Sequence, residues 1–279
     1  MVEVTFLETV KGLGDVYIAR APFDKQFPAL QEKGIPHFIS VRDDSYLRLQ
    51  GNYQSGTRTC HAPICAKDSS VIVARISPAF ENLEMARQMV NAHKILQYPV
   101  FSGRKIYGQW EKIAKKEKNK RPEERTAHVL SERGDYALHK DSDDAKFFFQ
   151  DQRKRYFKEK VSSDSIQVYQ IDPQVVDAQK GTIVNYTWFG SVGYGSDLGF
   201  RGRGLDCDIE ALGVLTPKAS AVLKPAKLVR KNFSPEEMKV PYTQKEITKQ
   251  LEVAREVRKG NLPNSKLEEL VTFLESLTQ

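Results

Sequence analysis

Apolar residues recur at helical spacing in several stretches of the chain. The clearest stretch covers residues 78–96, where apolar side chains return every three or four positions. Ser77 followed by Pro78 is a typical helix start, because serine caps the first turn and proline is tolerated at the first helical position. The same spacing predicts a shorter helix over 23–33 and two amphipathic helices over 243–260 and 264–277.

Strands are predicted where β-branched residues cluster or apolar and polar residues alternate. Residues 71–76, with the sequence VIVARI, give the strongest strand prediction. The polar residues 43–45 separate residues 37–42 from residues 46–49, and this pattern predicts a pair of strands joined by a turn. The other predicted strands cover 16–19, 165–171, 182–189 and 219–229. Together the two patterns predict an α+β fold, an antiparallel-rich sheet with flanking helices.

The predicted elements divide the chain into four parts. Residues 1–103 form a mixed α/β part of the core, and residues 104–164 form a basic helical insertion. Within the insertion, residues 123–143 are polar enough to predict a mobile connection or a disordered loop. Residues 165–235 form a glycine-rich β part of the core, and residues 236–279 form a helical tail. The amphipathic helices of the tail offer an apolar stripe to a protein partner.

The charge of the chain is concentrated in its middle. The formal net charge is +7 and the isoelectric point is near 9.1, which favours an anionic partner. Residues 104–160 hold 17 Lys or Arg against 11 Asp or Glu, an excess of six that accounts for most of the surplus. No run of about 18 apolar residues is present, so we expect no membrane span. Three cysteines give no disulfide framework, and a reducing, cytoplasmic setting is expected.

The densest part of this basic segment predicts a nucleic-acid-binding helix. Residues 104–121 contain eight basic residues and two acidic ones, so the helix cannot neutralise its own charge. The candidate phosphate-binding residues are Lys112, Lys115, Lys116, Lys120 and Arg121. Tyr107 and Trp110 are candidates for docking the helix or for stacking on unpaired bases. The alternative is an ordinary solvated helix face.

A glycine-rich segment over residues 190–204, GSVGYGSDLGFRGRG, is the second candidate contact with nucleic acid. Glycines let the backbone turn tightly and approach another chain closely, and Arg201 and Arg203 add charge for phosphates. Tyr194 adds a candidate stacking group. The segment resembles the glycine-rich loops of the RAMP proteins, which bind CRISPR RNA; the matching residues are Gly193, Gly195, Ser196, Gly199, Phe200 and Gly202. The resemblance implies RNA as a partner but covers only fifteen residues, and tight turns in a β-rich core are the alternative.

Alternating carboxylates follow this segment and suggest a nuclease as the alternative function. Asp206, Asp208 and Glu210 are expected to point from one face of a strand, as ligands of Mg²⁺ or Mn²⁺ would. Residues 208–213, DIEALG, also resemble the first motif of the DEDD-type exonucleases, in which the Asp and Glu hold the metals. No Asp follows position 208, so the later ligands of that family are missing. Acidic residues on the solvent face of an antiparallel strand are the structural alternative.

Two further groups are assigned to packing. Cys60, His61 and Cys65 form at most a partial zinc cluster, and we expect buried thiols there. The aromatic run at residues 147–149 covers most of a helix circumference, so most of it should be buried.

The sequence therefore predicts a nucleic-acid-binding protein that contacts RNA or DNA mainly through phosphates and is a subunit of a larger nucleoprotein complex. No cofactor is expected; only the nuclease alternative needs Mg²⁺ or Mn²⁺. A structural or assembly protein with a basic surface is the further alternative.

Overall fold

The structure is a computed structural model that describes residues 2–51, 53–161, 163–202 and 209–215. Its strands are β1 (Val4–Val10), β2 (Gly14–Ala21), β3 (Thr57–Arg58), β4 (Ala62–Ala66), β5 (Ile72–Ala74), β6 (Val100–Ser102), β7 (Ala127–Val129), β8 (Tyr136–His139), β9 (Ser165–Tyr169), β10 (Gly181–Val184), β11 (Trp188–Phe189), β12 (Leu198–Gly199) and β13 (Ile209–Leu215). Its α-helices are α1 (Phe23–Glu32), α2 (Val41–Leu49), α3 (Leu83–Lys94), α4 (Lys105–Glu117), α5 (Asp143–Phe149), α6 (Arg153–Lys160) and α7 (Pro173–Asp177). The predicted strand at 219–229 and the predicted helices at 243–260 and 264–277 lie outside the described residues.

The strands form two sheets. The eight-stranded sheet has the order β1-β2-β13-β3-β11-β12-β9-β8, and the five-stranded sheet has the order β6-β10-β4-β5-β7. Pairing is antiparallel except between β12 and β9 and between β13 and β3. The longest ladder joins β13 to β2, from Ile209 opposite Ala21 to Leu215 opposite Asp15. The fold is thus α+β and antiparallel-rich with flanking helices, as predicted, although it has two sheets and not one.

The five-stranded sheet separates two hydrophobic clusters. Side chains alternate between the faces of a strand, so Ile72 and Ala74 of β5 enter one cluster and Val73 the other. The first cluster lies between one face of this sheet and helices α1, α3 and α4. The second cluster lies on the opposite face, among α5, α6, β8 and β9. Helix α4 therefore forms part of the layer that covers the first face.

Several predicted elements are confirmed. Helix α1 occupies 23–32, and a short 3-10 turn at residues 78–81 leads through Asn82 into α3. The Asn82 side chain accepts a hydrogen bond from the backbone N–H of Met85, so the helix predicted over 78–96 is recapped just after its start. The predicted burial of the aromatic run is also confirmed, since Phe147, Phe148 and Phe149 are fully buried in the second cluster.

The strand pair predicted over 37–49 is wrong, because residues 41–49 form helix α2. Ser40 caps this helix by accepting a hydrogen bond from the backbone N–H of Asp43, at 3.1 Å. Asp43 and Asp44 then occupy the first turn, where the helix dipole favours negative charge. Polar residues that resemble a turn are here the start of a helix.

The mobile connection predicted over 123–143 is also wrong, because this segment contains β7 and β8. Three of its polar side chains, those of His128, Ser131 and Tyr136, bond to the carboxylate of Asp144. Strand β7 pairs with β5 in the five-stranded sheet, and β8 pairs with β9 in the eight-stranded sheet. Residues 104–164 therefore supply one strand to each sheet.

Candidate nucleic-acid interface

Helix α4 is docked by one apolar face. Ile106, Tyr107, Trp110 and Ala114 recur at helical spacing and are buried in the first cluster against the five-stranded sheet. The Tyr107 hydroxyl also donates a hydrogen bond to the backbone oxygen of Ser70, at 2.9 Å. Tyr107 is 3% exposed and Trp110 is 7% exposed, so their rings hold the helix in place and are not presented to a nucleic-acid base.

The opposite face of α4 is basic. Lys105, Lys112 and Lys116 are exposed and lie within about 40° of one another around the helix axis. Gly108 and Gln109 fill the space between them. We call this surface, defined by these five residues, the lysine face.

Three of the predicted phosphate-binding residues are paired with carboxylates. Lys115 lies 3.0 Å from Glu111, and Lys120 lies 2.8 Å from Glu117. Arg121 pairs with Glu124. All three pairs join residues three or four positions apart, so the acids of this segment neutralise the neighbouring bases.

Lys112 and Lys116 differ from these three residues. Across the described ranges, neither ammonium group forms an ion pair with a carboxylate. Within the described residues both lysines are therefore available to neutralise phosphates, and each phosphate neutralised releases counterions that were condensed on the nucleic acid.

Glu117 ties the end of α4 to the sheet. Its carboxylate accepts hydrogen bonds from the backbone N–H and the hydroxyl of Thr126, at 2.6 and 2.8 Å, and from Lys120. Burial alone would raise the pKa of Glu117, but Lys120 and Thr126 stabilise the charged form and hold the pKa below its ordinary value. Arg125 completes this end of the helix by donating to the backbone oxygens of Lys118 and Lys120. The lysine face is thus carried by a helix fixed at its C-terminal end.

A buried ion pair of helix α2 anchors the start of the glycine-rich segment. Arg48 and Asp44 of α2 are both fully buried and lie 3.0 Å apart. Arg48 also donates to the backbone oxygens of Gly190 and Phe189 and stacks 3.9 Å from the Phe189 ring. The segment turns through Gly195 at a φ of +94°, a conformation that glycine adopts without strain. Residues 190–197 are therefore an anchored turn between β11 and β12.

Arg201 of this segment does not join the lysine face within the described structure. Arg201 lies 3.1 Å from Asp135 and its guanidinium stacks 4.6 Å from the Tyr169 ring. Tyr98 donates to the Arg201 backbone oxygen and packs against the second cluster, whereas α4 packs in the first. Arg203 lies outside the described residues, as does the side chain of Tyr194. The structure thus gives no support to one continuous surface made of α4 and Arg201.

Of the three carboxylates of the nuclease alternative, the structure describes Glu210. Glu210 accepts hydrogen bonds from Arg20, at 2.8 Å, and from the Tyr53 hydroxyl, at 2.9 Å. Both of its oxygens are thus engaged by protein donors. Asp206 and Asp208 lie outside the described residues. Within the described ranges no group of three or more His, Cys, Asp or Glu side chains is arranged to hold a metal ion.

The cysteine and histidine cluster is internal, as expected. Cys60 and Cys65 are free thiols and both are buried. Burial raises the pKa of the Cys65 thiol to about 12. Burial, reinforced by the charge of Arg75, lowers the pKa of His61 to about 3. A buried neutral imidazole and two buried protonated thiols are accounted for by packing.

Sequence reasoning missed two buried polar groups that shape the site. One is the Arg48–Asp44 pair, whose spacing of four residues is a recognisable signal once α2 is known to be a helix. The other is the pair of His128 and Asp144, 2.7 Å apart, with Arg125 donating to the second imidazole nitrogen. Both imidazole nitrogens are therefore occupied, and this group connects the end of α4 to the second cluster.

Comparison of the chain with protein-family models, with curated proteins and with solved structures finds no match. The resemblances to the RAMP loops and to the exonuclease motif thus rest on the quoted residues alone. Among the described helices, none combines the length and the apolar character needed to cross a membrane.

Proposed function

We propose that the protein binds nucleic acid through phosphate contacts made by the lysine face of α4. The observation that carries this proposal is the exposure of Lys112 and Lys116 without an acidic partner in the described structure, on a helix whose own acids are already engaged. Lysines bind phosphates as point charges and need no fixed geometry, which suits contacts to a phosphate backbone.

The rest of the predicted surface contributes less to this proposal. Lys115, Lys120, Arg121 and Arg201 each have a carboxylate partner, so a phosphate must compete with that carboxylate for them.

We place the binding in a reducing, cytoplasmic compartment, because Cys60 and Cys65 are free, buried thiols. We retain membership of a larger nucleoprotein complex in the proposal, supported by the amphipathic pattern of residues 243–277.

The test compares two charge-matched double variants. Lys112→Ala with Lys116→Ala removes two lysines four positions apart on α4, and Lys154→Ala with Lys158→Ala removes two exposed lysines at the same spacing on α6. Binding of labelled nucleic acid is followed by fluorescence anisotropy at low salt. The proposal predicts that only the α4 variant loses affinity. Equal losses in the two variants contradict it, since net charge alone would then explain the binding.

A further inference from the structure

We infer that the lysine face selects double-stranded over single-stranded nucleic acid. This inference rests on the proposed function and adds the class of nucleic acid that the site takes. Its chemical basis is a face that carries lysines at fixed backbone positions and offers no aromatic ring to an unpaired base.

Stacking is absent from this face for a structural reason. Helix α4 contains two aromatic residues, Tyr107 and Trp110, and both are buried against the five-stranded sheet. Proteins that bind single strands without sequence preference combine a basic groove with exposed aromatic rings on which bases stack. The lysine face has the charge but lacks the rings, so an unpaired base gains nothing from it.

The spacing of the charges suits a regular backbone. Lys112 and Lys116 are one helical turn apart, about 6 Å along the axis, and Lys105 lies about 10 Å before Lys112. The helix is fixed by its buried face and by Glu117, so the backbone positions of the lysines keep this spacing, and only their flexible side chains adjust to the phosphates. A duplex holds its phosphates in a regular array and meets such a face without being ordered first.

The surface between the lysines is open. Among the described residues, a Cβ added to Gly108 would meet no atom within 4 Å beyond the backbone of its own helix, so the surface of α4 is open at this position. A duplex also carries about one charge per 1.7 Å of axis, twice the density of one of its strands. Each lysine is therefore attracted more strongly to a duplex than to one strand, and no stacking on this face offsets the difference.

The experiment is a competition assay on the full chain. A labelled DNA duplex is displaced by the same unlabelled duplex, by each of its single strands, and by an RNA duplex of the same sequence, at equal nucleotide concentrations. We expect both duplexes to displace the probe at lower concentration than either strand. The DNA and RNA arms show which kind of duplex is preferred. The preference should shrink in the Lys112→Ala, Lys116→Ala double variant and persist in the matched double variant of Lys154 and Lys158.

The possible failures are distinguishable. If single strands compete as well as duplexes, or better, and the α4 variant still weakens binding, the selection of duplexes is refuted and the proposed function stands. If neither duplexes nor strands bind, the proposed function fails, and the inference fails with it. A preference for duplexes that is identical in both double variants also overturns the inference, because the selecting surface then lies elsewhere.

Discussion

Replacement of Glu117 by glutamine should loosen the helix that carries the lysine face. The carboxylate of Glu117 accepts hydrogen bonds from Lys120, from the Thr126 backbone and hydroxyl, and from the backbone N–H of Ala127. A glutamine has one acceptor oxygen and no charge, so it loses the ion pair and presents an amide to the Lys120 ammonium. Hydrogen bonds to charged groups contribute about 1.5–3 kcal/mol, and we expect a loss of about 2 kcal/mol.

Urea unfolding at neutral pH measures this loss, and thermal unfolding should show a decrease of about 4–8 °C in Tm. The matched control is Glu111→Gln on the same helix. Glu111 forms an exposed pair with Lys115, which should contribute only about 0.3–0.5 kcal/mol.

The effect of Glu117→Gln also has a defined pH dependence. The pKa of Glu117 in the folded protein lies below its ordinary value of 4.5. Its contribution is therefore complete above that value and disappears as the pH falls through the lowered, folded-state pKa. The difference between wild type and variant should shrink below a pH of about 4. Equal stability at neutral pH, or a difference that grows in acid, would refute this account of the anchor.

Three further substitutions or reactions test the packing. Arg48→Met leaves the buried carboxylate of Asp44 without its partner and should reduce the free energy of unfolding by about 3–5 kcal/mol in urea titrations; a loss below about 1 kcal/mol argues against a buried pair. Gly181→Ala places a Cβ against the backbone oxygen of Phe101, closer than Cβ atoms normally come, so thermal unfolding should show that the free energy of unfolding falls by about 1–3 kcal/mol; an unchanged Tm contradicts the close approach of β6 and β10. The Cys60 thiol is buried, and burial raises its pKa, so alkylation should be slow in the native protein and fast in denaturant; native labelling at the rate of a free thiol disproves its burial.

Much of the fold follows from local pattern. The helix at 23–32 and the strand at 72–74 lie where apolar periodicity and β-branched residues placed them. The errors came from polar residues with internal partners. Residues 43–45 suggested a turn, because the cap that Ser40 forms with the backbone of Asp43 is recognisable only once the helix is known. The polarity of residues 123–143 suggested a mobile segment, because the partner of His128, Asp144, lies 16 residues away.

The sequence predicted the positive charge of the candidate site, but it did not predict which side of helix α4 faces the sheet. Counting bases and acids located the basic helix, and spacings of three or four residues explain why Lys115 is paired. The side on which Trp110 lies depends on the sheet beneath the helix, which no local pattern specifies. The pairing of Arg201 with Asp135, 66 residues away, is likewise a product of the tertiary fold.

The most direct test of phosphate binding by the lysine face is the salt dependence of duplex binding. The logarithm of Kd is measured against the logarithm of salt concentration, between about 50 and 200 mM, for wild type and for the Lys112→Ala, Lys116→Ala double variant. Each lost phosphate contact should reduce the slope by about 1, so the variant should show a slope shallower by about 2. A slope that is the same in both proteins would contradict phosphate binding by these two lysines.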